Sequence, residues 1–127
     1  MRFPRFALAF AALGLVAPQI AAAHTQLVSS SPAANTTVAR PTKIELRFNE
    51  PVIGATARAT IVMTGMPGMA NHAPMAITGF TAKMGKDRKS MTLLLRRPLV
   101  AGTCLVTWSA AGADTHRMSG TFSFTVR

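Results

Sequence analysis

The stretch Lys43-Ile44-Glu45-Leu46-Arg47-Phe48 alternates strictly between charged and apolar side chains. A period of two sends Ile44, Leu46 and Phe48 to one face of a strand and the charges to the other. The same pattern returns near the C-terminus. Thr103–Ser109 carries Cys104, Val106 and Trp108 on one face, and Thr121–Val126 points Phe122, Phe124 and Val126 inward. Between such runs the chain is cut by Ser31-Pro32, Asn49-Glu50-Pro51, Gly85-Lys86-Asp87 and the pair Pro98 and Gly102. Proline and glycine end strands for want of a donor or of rigidity. Further strands are expected over Gln26–Ser30, Ala57–Met63, Ala76–Thr81 and Ser90–Arg96, the third of them weakened by Gly79. The count predicts an all-β, seven-stranded immunoglobulin-like sandwich. Trp108, the single tryptophan, is expected to anchor the core between the sheets.

Residues 1–23 stand apart from this pattern. Met1-Arg2-Phe3-Pro4-Arg5 is a short basic start, Phe6 to Ile20 is mostly apolar, and Ala21-Ala22-Ala23 offers the small residues that signal peptidase reads. The run is too short and interrupted for a comfortable membrane span. The expected organisation is a signal peptide over 1–23 and one domain over 24–127, exported to the periplasm. Cys104 is the only cysteine, so no internal disulfide can form. On its predicted inward face it reads as a small hydrophobe.

The formal net charge is +10, and removal of Arg2 and Arg5 leaves the chain strongly basic. The cations are scattered. The densest group, Lys83 to Lys89, has no aromatic ladder between its charges, which argues against nucleic acid as a partner. A solvated basic surface is the simpler reading.

Met63-Thr64-Gly65-Met66-Pro67-Gly68-Met69-Ala70-Asn71-His72-Ala73-Pro74-Met75 concentrates half of the chain's 8 methionines and one of its 3 histidines. Two prolines and two glycines forbid a helix there. The methionine spacing therefore cannot make a packed helical stripe, although core filling is the commoner use of the residue. The expectation is a loop displaying Met63, Met66, Met69, Met75 and His72. Thioether sulfur is soft and uncharged, and the ion that selects it is Cu(I).

The other two histidines form a second constellation. Cleavage after Ala23 makes His24 the first residue, offering an α-amine and a ring nitrogen to one ion. Asp114 and His116 are two residues apart, and in an extended segment both would point the same way. Each feature alone would be unremarkable surface. Together they make a nitrogen and oxygen set suited to tetragonal Cu(II). Glu50 is a further candidate ligand or a partner to the ligands. Such ligands must shed protons to bind, so Cu(II) affinity should fall with pH, whereas thioethers should be insensitive.

With these residues in view, the chain resembles the CopC family of periplasmic copper-resistance proteins. The resemblance is carried by His24 after the signal, Leu27-Val28-Ser29-Ser30-Ser31-Pro32, and Lys43 through Glu50. It continues through the Met-x-x-Met-Pro-Gly-Met loop, Ala101-Gly102-Thr103, the Trp108 strand and Asp114-Thr115-His116. It covers essentially the whole of 24–127. It implies a Greek-key sandwich of cupredoxin-like topology, Cu(I) at Met63, Met66, Met69, His72 and Met75, and Cu(II) at His24, Asp114 and His116 with Glu50 nearby. It also implies copper carriage beside an inner-membrane partner of the CopD type, without enzymatic activity. Against the family pattern, Ala70-Asn71 adds one residue before His72, Cys104 replaces an aromatic, and Arg117 replaces a proline.

Two other functions compete. A copper oxygenase would also use an N-terminal histidine with a second histidine, but the chain has 0 tyrosines and 1 tryptophan to face a sugar polymer. A structural sandwich module would bind no metal. The sequence names no protein partner for self-assembly, and a monomer is the working expectation.

Overall fold

The computed structural model describes Gly14, residues 24–66, Gly68 and residues 73–127. Apart from Gly14, the expected signal segment over 1–23 lies outside the described residues, and so do the loop residues Met69 and His72.

The strands are β1 Leu27–Ser31, β2 Thr37–Val38, β3 Lys43–Phe48, β4 Arg58–Gly65, β5 Met75–Ile77, β6 Phe80–Met84, β7 Ser90–Leu95, β8 Gly102–Ala111 and β9 Arg117–Val126. They form a 4-stranded sheet, β1-β3-β7-β6, and a 5-stranded sheet, β2-β9-β8-β4-β5. All pairings are antiparallel except the short β2 with β9. The two-sheet all-β architecture is the expected one, and the strand count is higher than the seven expected. The additional pieces have local causes. β2 arises inside the loop after Pro32, where Thr37 and Val38 pair with Thr125 and Val126. The single strand expected over Ala76–Thr81 is two strands in different sheets. A tight turn, with the Phe80 amide donating to the Thr78 carbonyl at 2.9 Å, carries the chain from one sheet edge to the other.

The alternation seen in the sequence fixes the core. Ile44, Leu46 and Phe48 from β3 face Cys104, Val106 and Trp108 from β8 and Phe122, Phe124 and Val126 from β9, all buried. Trp108 meets Phe48 across the sheets edge to face, with ring centroids 5.2 Å apart and planes at 64°. Such aromatic pairs add about 0.5–1.5 kcal/mol beyond their buried area.

The longest ladder, β8 with β9, runs from Gly102↔Val126 to Ala111↔Arg117. At its first residue the backbone adopts φ +149°, and a Cβ on Gly102 would collide with the Gly65 carbonyl oxygen and the end of the Met63 side chain. Gly102→Ala is therefore expected to cost about 2–4 kcal/mol. Thermal denaturation should show a fall of roughly 10 °C or more, whereas an exposed control change such as Thr115→Ser should leave the midpoint in place.

Candidate metal centre

Three ligand-bearing side chains converge from distant parts of the chain. His24 lies on a short strap leading into β1, in the 4-stranded sheet. Asp114 and His116 lie in the turn joining β8 to β9, in the 5-stranded sheet. One ligand atom from each can be chosen so that all lie within 4.8 Å of one another. His24 Nδ1 is 3.4 Å from Asp114 Oδ2, and His116 Nδ1 is 3.6 Å from the same oxygen. The two imidazole centroids are 6.0 Å apart with ring planes tilted by 34°.

The segment 114–116 reaches this geometry differently from the expectation. It is not extended. Thr115 has φ 64°, its amide donates to the Gly112 carbonyl at 2.9 Å, and the His116 amide donates to Asp114 Oδ1 at 3.1 Å. A tight turn closed by an aspartate side chain replaces the strand. The second carboxylate oxygen is thereby left facing both imidazoles.

The donor set fits a bound cation. Donors around a first-row metal with bonds of about 2.0–2.2 Å stand roughly 3–4 Å apart, so the observed separations need little closing. His24 Nδ1 is shut off from solvent and, beside Asp114 Oδ2 at 3.4 Å, makes no hydrogen bond among the described residues, an arrangement that costs free energy unless something else engages the nitrogen. Charge points the same way. Of the chain's 4 acids, Glu45 pairs with Lys43 and Asp87 with Arg47. Asp114 instead faces imidazoles, which are neutral when unprotonated.

Glu50 stands beside this cluster. Its Oε1 accepts a hydrogen bond from Thr25 Oγ1 at 3.1 Å and lies against the Gly112 backbone. Thr25 itself went unremarked in the sequence, yet it is the buried polar residue of the described core, at 1% exposure. A threonine beside a histidine carries no motif, so only its burial reveals it. Arg117, next to His116, is turned to other work: its Nη1 donates to the Thr56 carbonyl at 3.0 Å and to Ser109 Oγ at 2.9 Å.

The described methionines lie elsewhere. β4 ends at Gly65 and β5 begins at Met75, so the two ends of the loop sit where β8 starts, Gly65 pairing with Thr103. Met75 is 45% exposed. Met66 is half-buried and lines a cavity of about 370 Å³ with Gly65, Gly102, Thr103 and Val126. Met63 departs from the expectation. It is fully buried on the inner face of β4, opposite Cys104, whose thiol donates to Met63 Sδ at 3.1 Å. It belongs to the core and is not displayed with the loop, because its place in β4 turns its side chain inward with Ile61. Cys104 is the buried small hydrophobe expected, and desolvation pushes its thiol up to about 11 from 9.0.

The histidine cluster and the methionine loop thus occupy opposite ends of β8. That strand has 10 residues, a length of roughly 30 Å at about 3.3 Å per residue.

Comparison with known proteins finds relatives over most of the chain. A family model described as the CopC domain matches residues 27–127. The chain is 45% identical over 107 residues to Copper resistance protein C of Escherichia coli, covering 84% of each. It is 43% identical over 116 residues to Copper resistance protein C of Pseudomonas syringae pv. tomato, covering 91% of this chain and 90% of the relative. Among solved structures, PcoC, a methionine-rich copper resistance protein from Escherichia coli, superposes with a TM-score of 0.75 at 42% identity, over 83% of this chain and 100% of that one.

Two outcomes follow from the buried sulfur pair. Native protein at pH 8 should resist alkylation at Cys104 until denaturant is added. Because folding raises the thiol's pKa from 9.0 to about 11, its contribution to stability is fully present below about pH 9 and is lost as pH rises toward 11. Met63→Leu should cost less than about 1.5 kcal/mol, since volume is nearly conserved, and should leave Cu(I) binding unchanged in a competition titration. A large loss of Cu(I) affinity would return Met63 to the ligand set.

Proposed function

The chain belongs to the CopC family, and from that footing we propose that it is a periplasmic copper-binding protein of copper resistance. It acts as a carrier with two separate sites and copper is its cargo. The observation that carries the reading is the convergence of His24, Asp114 and His116, with ligand atoms within 4.8 Å although the first two are 90 positions apart in sequence.

Export and cleavage after Ala23 free the α-amine of His24. The amine and the His24 ring then chelate Cu(II), with Asp114 and His116 completing a nitrogen and oxygen set. Glu50, already engaged by Thr25, supports these ligands from behind. The reduced ion goes to the thioethers of Met66, Met69 and Met75 with the imidazole of His72, a soft set for Cu(I). Separation along β8 makes the two sites independent. A carrier of this kind would exchange copper with an inner-membrane transporter of the CopD type. No reaction is assigned to it, although the His24 and His116 pair also suits an oxygenase. Peroxide-driven cleavage of chitin or cellulose by the copper-loaded protein would overturn the carrier assignment.

Protein starting at His24 should bind one Cu(II) and one Cu(I), each without displacing the other. One extra residue ahead of His24 should weaken Cu(II) by about 100-fold or more, roughly 2.7 kcal/mol, and spare Cu(I). Equal loss at both sites, or at neither, would sink the two-site reading.

A further inference from the structure

The Cu(II) cluster is assembled across two sheets, so something must hold its halves in register. β1 leaves its ladder with β3 at Leu27↔Phe48, and the strap 24–26 beyond it has no strand partner. Asn49 takes that place. Its side-chain Oδ1 accepts from the Gln26 amide at 2.8 Å, its Nδ2 donates to the His24 carbonyl at 3.0 Å, and its own amide donates to the Gln26 carbonyl at 3.0 Å. One residue thus grips three backbone groups on the strap. The next residue, Glu50, holds Thr25 at 1% exposure and abuts Gly112, where no Cβ could fit. Val52 then bridges to Gly112, and the Ile53 amide donates to the Ala111 carbonyl at 2.8 Å. Residues 49–53 therefore grip the strap bearing His24 on one side. On the other they grip the stem of the turn bearing Asp114 and His116.

We propose that Asn49 is the positioning residue of the Cu(II) site, the group that sets His24 against Asp114 and His116 before the ion arrives. The inference rests on the Cu(II) reading of that cluster. A side-chain amide suits the task because it offers an acceptor and a donor in one plane, matching the alternating groups of a backbone. Asn49 is exposed and adds nothing to the core. Its removal should loosen the strap and leave the sandwich intact. Groups that orient metal ligands from outside the coordination shell typically alter affinity by about 10–100-fold when lost.

The test uses the processed protein starting at His24, with Asn49→Ala and Asn49→Asp. Asn49→Ala should weaken Cu(II) by about 10–100-fold, leave Cu(I) affinity unchanged and barely move the melting temperature. Asn49→Asp keeps the acceptor for Gln26 and loses the donor to His24, so its affinity should fall between. Without metal, the Gln26 amide should be protected from hydrogen exchange in the parent protein and exchange freely in Asn49→Ala. A magnetisation contact between the His24 and His116 rings should fade with it. If Asn49→Ala fails to fold, Thr25→Val, which removes the donor to Glu50 at nearly constant volume, should reproduce the Cu(II)-selective loss. Unchanged Cu(II) affinity in a folded variant, or equal loss for both copper states, would overturn the proposal. A parent protein that takes up no Cu(II) would instead remove the site reading and this role with it.

Discussion

The edge-to-face contact of Trp108 with Phe48 joins the two sheets, and it fixes the strand along which both ends of the molecule are laid out. Trp108 belongs to β8, which is hydrogen-bonded along its whole length to β9 and over most of it to β4. A strand held on both edges and buried on its inner face cannot bend or slide by one residue without turning Cys104, Val106 and Trp108 outward. β8 therefore serves as a fixed ruler. Its last residues lead into the turn that carries Asp114 and His116, and its first residues lie beside the methionine loop. The separation of the histidine cluster from the start of β5 follows from the packing of this core.

That separation matters because the two donor sets answer to different chemistry. Imidazole, amine and carboxylate groups compete with protons for an ion, and thioethers do not. Cu(II) prefers the first set and Cu(I) the second. Placed side by side, they would offer a reduced or oxidised ion a mixed site suited to neither. Set at opposite ends of a strand roughly 30 Å long, each set would keep its own selectivity. The surrounding charge sharpens this. The chain is strongly basic, with 14 Lys and Arg against 4 acids, yet two of those acids, Asp114 and Glu50, gather at the histidine end.

Much of this could be read from the sequence, and the failures share a cause. The alternating runs of β3, β8 and β9 were legible because each residue's face depends only on its neighbours in the chain. The grouping of His24, Asp114 and His116 was legible because histidines and acids are scarce here, so their placement stands out. What misled were features decided by partners far away. Residues 76–81 read as one strand, and only the two sheet edges reveal the break at Thr78. Asp-Thr-His read as extended, although a turn closed by Gly112 and Asp114 sets it. Met63 read as part of the displayed loop, although its partner Cys104 lies 41 residues away and turns it inward. Asn49 read only as the end of a strand, since its hydrogen bonds reach back 23 and 25 residues to groups that every residue possesses.

The fate of Cys104 follows from the same logic. A thiolate is a stronger soft ligand than a thioether and would compete for Cu(I) with the loop a few residues away. In this chain the sulfur is fully buried, burial pushes its pKa up to about 11, and its S–H donates a hydrogen bond to Met63 Sδ. At neutral pH it is therefore a thiol rather than a thiolate, and it fills space rather than binding metal. For a protein proposed to pass copper on, this is the useful arrangement. The thioether of Met75, exposed at the start of β5, is open to an ion, while the one thiol able to trap it stays protonated in the core. Met63, turned inward, accepts the hydrogen bond of that thiol.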